Sequence, residues 1–303
     1  MKYRKLGDTG YDVSEIGFGT WQIGGKRWKS LSREENIAML RSARDLGVNI
    51  FDSAVVYGQY SDDKGYLQSE SQELLGEAFK ERRDEVIYCV KLGQFDEYTH
   101  KSDYNPQRIV DQFNQSLRRL NTNYVDIALI HAPSLKKVKD GRAITILQTL
   151  RALGKAKAIG YSFEAEPEHV QESIDQDIDV IMLQYNMLES QCRQAIKNAE
   201  EHGIGILVGG PFKRGYLTGR WRNTKDIARE EDDYWKWNLK YNKGKVEGIL
   251  ERVNQHLEEA GSPDELRRRS LEFILSQSVA SAIIGHRSLD EVKENIQYLE
   301  KEK

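Results

Sequence analysis

Two periodicities alternate along this chain. Short apolar runs rich in β-branched residues fall at 15–19, 48–52, 86–91, 125–131, 157–161, 179–183, 204–208 and 281–285, the pattern of buried strands. Amphipathic stretches at 33–46, 70–82, 106–120, 142–153, 166–175, 188–203, 263–278 and 288–300 separate or follow them. In one of these, Ile109, Val110, Phe113, Leu117 and Leu120 recur at spacings of three and four, which predicts a helix with one buried face. Residues 2–14 read as a short hairpin ahead of the first run. Eight strand–helix units in 303 residues, with no Pro/Gly linker, predict a single (β/α)8 TIM barrel over 1–303. The alternative is a doubly wound sheet. It wants a GxGxxG turn after an early strand, and GFGTWQIGG does not supply that spacing. The longest stretch without either period, 212–245, predicts a long irregular loop after the seventh strand, on the face where barrels place their chemistry.

Composition narrows the function classes. Hydrophobic residues make up 39% of the chain and charged residues 31%, which fits a globular protein with a heavily charged surface. A net charge of −3 provides no positive field for nucleic acid or an anionic membrane. The basic run Arg267–Arg269 lies in an acid-rich helical context and reads as a solvated helix face. Cys89 and Cys192 are the two cysteines; one lies in an apolar strand and one in a polar helical stretch, so neither a disulfide nor a zinc site is expected. MKYRKLGDTG has no apolar signal core, and no window approaches the ~18 apolar residues of a membrane span. The expectation is a cytoplasmic protein.

Four residues stand out against the strand pattern. Asp52, Lys91 and His131 each end an apolar run, and Tyr57 closely follows one. A charge at a buried strand end is costly unless it is paired, and neighbouring parallel strands bring such side chains together at their carboxyl ends. Each residue alone has a bland reading: Asp52 a helix cap, Tyr57 a rim aromatic, His131 a hydrogen-bonded core histidine. Together they form a tuned acid. A phenol with its usual pKa of about 10 is a poor donor at neutral pH, and a neighbouring ammonium lowers that pKa. A carboxylate keeps the lysine charged, and an imidazole orients an incoming carbonyl oxygen. The set suits protonation of a carbonyl oxygen as hydride arrives at carbon. It holds no nucleophile and no metal cluster, so the hydride is expected from a bound cofactor. A barrel hydrolase would need a carboxylate pair or metal ligands that Asp52 alone does not provide.

At this point the chain resembles the aldo-keto reductase family. The resemblance runs in order through GFGTWQIGG, FDSAVVYG, Lys91, IHAP, GKAKAIGYS, LQYNMLES, GGPFKRGYLTGR and IIGHRSLDEVKEN. It implies an NAD(P)-dependent oxidoreductase interconverting a carbonyl (aldehyde, ketone or sugar) and an alcohol. Tyr57 would be the general acid/base, Lys91 and Asp52 its tuning pair, and His131 the residue that orients the carbonyl. It also implies cofactor contacts from Gly19, Thr20, Trp21, Asp52, Ser162, Gln184, Gly209, Gly210, Pro211, Phe212, Arg214, Gly285, Arg287, Glu291 and Asn295, and substrate contacts from Trp21, Tyr57 and His131. The alternative within the same resemblance is a non-catalytic NAD(P)H-binding subunit, like the channel-associated β-subunits.

Three departures from the family pattern surround the cofactor. Phe163 stands where Asn follows Ser162, so anchoring of the carboxamide falls to Ser162, Gln184 or a backbone group. Gly209 stands where many relatives carry an aromatic that stacks on the nicotinamide, leaving Phe212 or an aromatic of 212–245 to cover the ring. This GGPF variant resembles a subgroup that includes sugar dehydrogenases. The glycine-rich segment with Lys213 and Arg214 suits a pyrophosphate. Glu291 stands where Arg or Gln is common. It favours NADH by repelling a 2′-phosphate, whereas family habit and nearby Arg287 favour NADPH; both remain expected cofactors. The pocket mouth is expected from loops that carry Trp21, Tyr98 and Trp235. Its polar, aromatic rim suits a sugar or another hydroxylated carbonyl compound better than a long alkyl aldehyde.

Overall fold

The computed structural model describes residues 1–300 apart from 26, 30, 64–66 and 97–100. Eight parallel strands close into a barrel: β1 (Ile16–Gly19), β2 (Ile50–Ala54), β3 (Ile87–Leu92), β4 (Val125–His131), β5 (Ala156–Phe163), β6 (Val180–Gln184), β7 (Gly205–Gly209) and β8 (Ser281–Gly285). Every strand pairs with its sequence neighbours, and β8 returns to β1. A hairpin of Tyr3–Lys5 and Asp12–Ser14 precedes the barrel. Its Leu6 and Val13 are fully buried among interior residues such as Ile50, Ile127 and Leu207, so the hairpin plugs the amino-terminal end. Chemistry is thereby confined to the other end.

Side-chain alternation sorts the strands into two cores. Ile50, Cys89, Leu129, Ala158, Met182, Leu207 and Ile283 fill the barrel, while residues of opposite parity, such as Phe51, Tyr88, Ile130 and Tyr161, pack against the helices. The helices begin where local chemistry stops the chain from continuing extended. Ser32 caps Arg33–Asp45 in a reciprocal box with Glu35, and Asn105 caps Pro106–Arg119 with proline in the first turn. Among the described residues no helix is long and apolar enough to cross a membrane.

The segment 212–245 differs from its expectation. It holds a 3-10 run, Lys213–Thr218, a short helix, Thr224–Ile227, and the start of a 28-residue helix, Asp233–Ala260. Irregular backbone is found between them and within the 3-10 run, at Arg214 and Gly215. The helical spacing is present in buried Tyr234, Trp235 and Asn238, and later in Val246, Leu250, Val253 and Leu257. Two things mask it: a break at Asn242, whose φ is −134°, and the weak helix formers Gly244 and Gly248. Two further elements carried no clear period: the hairpin Gln59–Ser61 with Leu67–Ser69, and the helix Leu135–Asp140.

Candidate functional site

The carboxyl ends of the strands open into a cavity of about 520 Å³, within the range of small-molecule sites. Asp52 from β2, Lys91 from β3 and His131 from β4 all line it, and Tyr57 joins them from the turn after β2. Register explains the convergence. Asp52 lies beside Cys89 on the next strand, and His131 lies beside Ser162.

The Lys91 ammonium donates to both oxygens of Asp52, at 2.7 and 2.5 Å, and the two side chains are 4% and 5% exposed. Burial disfavours the ammonium most strongly of any one influence, yet the Asp52 carboxylate, joined by Tyr57 and Cys89, holds the Lys91 pKa above its ordinary value. The same burial pushes the Asp52 carboxyl upward, against the pull of Lys91. On its other side, Lys91 Nζ lies 4.9 Å from the centre of the Tyr57 ring. The His131 ring stands edge-on to that phenol at 6.2 Å, and Trp21 lies 6.1 Å away.

The turn carrying Tyr57 is held by close backbone contact. Gly58 has φ +65°, and a Cβ there would sit 2.0 Å from the Gly24 carbonyl oxygen, so only glycine fits. The Ser69 hydroxyl donates to the Tyr57 carbonyl at 2.9 Å, and Glu70 N donates to Gly58 O at 3.3 Å. The Tyr57 phenol is therefore presented by a pinned turn.

Around the rest of the cavity lie Gly19, Trp21, Ser162, Gln184, Gly209, Gly210, Pro211, Phe212, Arg214, Gly285, Arg287, Glu291 and Asn295. Thr20 departs from expectation: it is fully buried, does not line the cavity, and donates its hydroxyl to the Asp52 carbonyl at 2.8 Å. Its role is to join β1 to β2. Phe163 turns its ring outward, stacking on Tyr161 at 5.2 Å and meeting His169 edge-on at 5.6 Å. Ser162 and Gln184, on neighbouring strands, offer a hydroxyl and a carboxamide that make no hydrogen bond among the described residues. Gly210, at φ +61°, lies so close to Gln184 that an added Cβ would meet its Oε1 at 2.0 Å. Phe212, Trp221 and Trp235 provide aromatic wall where Gly209 has none. Tyr98 lies outside the described residues.

Arg287 is already committed. Its Nη1 donates to Asp232 at 2.6 Å, where the carboxylate is 1% exposed, and its Nη2 lies 3.9 Å from Glu230. Glu291 accepts from the Arg287 backbone N–H at 2.8 Å. Arg220 pairs with Glu230 and Arg267 with Glu294, so each arginine at this end of the cavity has a carboxylate. Sequence reasoning missed Gln22, Trp28, Met182, Arg220, Arg267 and Glu294 in the wall. Met182 was findable as the inward residue two before Gln184, and Glu294 as one turn after Glu291. Arg220 and Arg267 carry no local signal. Among the described residues no group of three or more His, Cys, Asp or Glu is placed to hold a metal ion.

Comparison with known proteins gives a consistent set. The model of the Aldo/keto reductase family matches residues 15–303. Aldo-keto reductase YhdN of Bacillus subtilis is 31% identical over 262 residues, 84% of this chain and 75% of that protein. The NADH-specific methylglyoxal reductase of Escherichia coli is 27% identical over 316 residues, covering 98% of this chain and 93% of that protein. Among solved structures, the holo form of aldo-keto reductase AKR11C1 from Bacillus halodurans superposes with a TM-score of 0.76 at 25% identity, covering 100% of this chain and 92% of that one.

Proposed function

The chain belongs to the aldo-keto reductase family, and from that premise we propose that Tyr57 is the general acid/base of an NAD(P)-dependent interconversion of a carbonyl compound and an alcohol. The observation that carries this reading is the position of Lys91, with Asp52 on one side at 2.5–2.7 Å and the Tyr57 ring on the other at 4.9 Å. A permanently charged ammonium stabilises the phenolate left when Tyr57 gives its proton to the substrate oxygen. Asp52 keeps that ammonium charged inside the barrel. His131, beside the phenol, hydrogen-bonds the same oxygen and fixes its direction. In the reverse direction the phenolate removes the alcohol proton.

The wall fits a nicotinamide dinucleotide. Ser162 and Gln184 present unpartnered polar groups to the cavity, which suits a carboxamide, and Gly209 and Gly210 leave room for a ring beside them. When bound, that cofactor supplies the hydride that no side chain here provides. Arg214 and the glycine-rich turn after β7 suit the pyrophosphate. The preferred nucleotide is NADH. Arg287, the candidate clamp for a 2′-phosphate, is neutralised by Asp232 and Glu230, and Glu291 adds a further negative charge.

Tyr57→Phe tests the assignment. Turnover of a carbonyl panel should fall at least a hundredfold, an acid/base contribution, while NADH affinity by fluorescence titration stays within a fewfold of the parent. Near-normal turnover in that variant removes Tyr57 from the role. A parent protein that binds NADH yet oxidises it with no carbonyl points to the binding-subunit alternative.

A further inference from the structure

One thioether lies in the wall of the site. Met182 faces inward from β6, two residues before Gln184, and it is buried and lines the cavity. Its sulfur meets both halves of the proposed machinery. The Lys91 ammonium, which holds Asp52 at 2.7 and 2.5 Å, also donates to Met182 Sδ at 3.9 Å. On the other side, a Cβ added to Gly209 would stand 3.8 Å from the same sulfur. Met182 Sδ therefore sits between the ammonium beside Tyr57 and the bare wall at Gly209.

The other sulfurs are shielded by chemistry or by place. Cys89 and Cys192 are buried, and burial pushes the first thiol well above its usual range and the second to about 11. A thiol reacts with peroxide as the thiolate, so both are quiet at neutral pH. A thioether needs no ionisation. Met39 is buried in the helix Arg33–Asp45, and Met187 accepts from the Ser270 hydroxyl at 3.4 Å. Neither of these, nor Met1, lines the cavity. Met182 is thus the sulfur that a small oxidant in the cavity meets.

We propose that Met182 is a site of oxidative inactivation: hydrogen peroxide entering the nucleotide-free cavity converts its thioether to the sulfoxide and uncouples Lys91 from Tyr57. The proposal rests on the reading of Tyr57 and the nucleotide site above. A sulfur lone pair attacks one peroxide oxygen, the O–O bond breaks and an S–O bond forms. The other oxygen leaves as hydroxide, takes the proton from the sulfur-bound oxygen and becomes water. Sulfur loses the two electrons that the peroxide gains. A thioether is a weak acceptor, whereas the sulfoxide is polar. Its oxygen draws the Lys91 ammonium away from Tyr57, so the phenolate loses its support. The added atom also takes space beside Gly209 that the nicotinamide needs. Bound nucleotide covers the sulfur and keeps the oxidant out.

Treatment with millimolar hydrogen peroxide, followed by peptide mass spectrometry, carbonyl reduction and NADH titration, tests this. One oxygen atom should appear on Met182 as activity falls, and the oxidised protein should bind NADH about tenfold more weakly. NAD+ at about ten times its Kd, which peroxide does not consume, should slow both changes about tenfold. In the oxidised protein the pH of half-maximal alcohol oxidation should rise, since the phenolate has lost its ammonium; simple packing damage would not move it. Met182→Leu, whatever its starting rate, should keep most of that rate under the same treatment. Met182 left unoxidised, whether or not activity falls, overturns the proposal. So does Met182 oxidised with rate and NADH affinity intact, or an equal fractional loss in Met182→Leu. If the protein reduces no carbonyl, oxidation of Met182 with NAD+ protection and weakened NADH binding sustains the modification site while the oxidoreductase reading falls.

Discussion

The Lys91 ammonium sits between the two carboxylate oxygens of Asp52 at 2.7 and 2.5 Å, at the carboxyl end of the barrel and almost fully removed from solvent. Such a pair gains less from attraction than its distances imply, because both ions gave up their hydration. Removing one partner is a different matter, since the other charge is then stranded. Asp52→Asn and Lys91→Met should each cost about 3–5 kcal/mol of folding stability. The double variant, with no charge left to bury, should recover most of that loss while remaining inactive. Urea denaturation of the three proteins checks this. Additive losses in the double variant would show that the two residues do not act as a pair.

Cofactor choice follows from Arg287 and Asp232. NADPH should bind at least tenfold more weakly than NADH, because the guanidinium facing that end of the cavity already belongs to a buried carboxylate. Asp232→Asn should narrow the gap by releasing Arg287 and removing a negative charge. Titration of the protein fluorescence with each nucleotide measures both effects. Equal affinities in the parent protein would remove the assignment.

His286 sets an acid limit on stability. It is fully buried beside Phe18, with ring centroids 4.9 Å apart, and burial pulls its pKa down to about 3. The unfolded chain binds a proton near pH 6.5 that the folded protein refuses until about pH 3. The unfolded state therefore holds more protons in that window. The stabilisation is complete above about pH 6.5 and is lost as pH falls toward 3, at up to about 1.4 kcal/mol per pH unit from this residue. His286→Leu should flatten the dependence of the urea midpoint on pH between 6.5 and 4. An equally steep profile in that variant would assign the acid sensitivity elsewhere.

The barrel was legible because each strand end repeats one local event, a β-branched run that stops at a polar residue. Asp52, Lys91 and His131 announced themselves by violating the burial pattern, and Tyr57 by following one such end. The helix Asp233–Ala260 was not legible, since Asn242, Gly244 and Gly248 interrupt its period and its stability comes from packing of Tyr234, Trp235, Val246 and Leu250. Thr20 looked like a cofactor contact by its place in a motif, yet its hydroxyl serves the Asp52 backbone.

By itself the sequence determined the order of strands and helices, the inward parity of Asp52, Lys91 and His131, and hence the class of chemistry, because these depend on residues near one another in the chain. Tertiary structure decided whom each group meets. That Arg287 is neutralised by Asp232, fifty-five residues away, and that Gln112 holds the backbone of the turn after Lys91 at Gly93 and Gln94, are facts of closure. Hydrogen bonds and charge pairs act over a few ångströms, and only the folded barrel brings those atoms within reach.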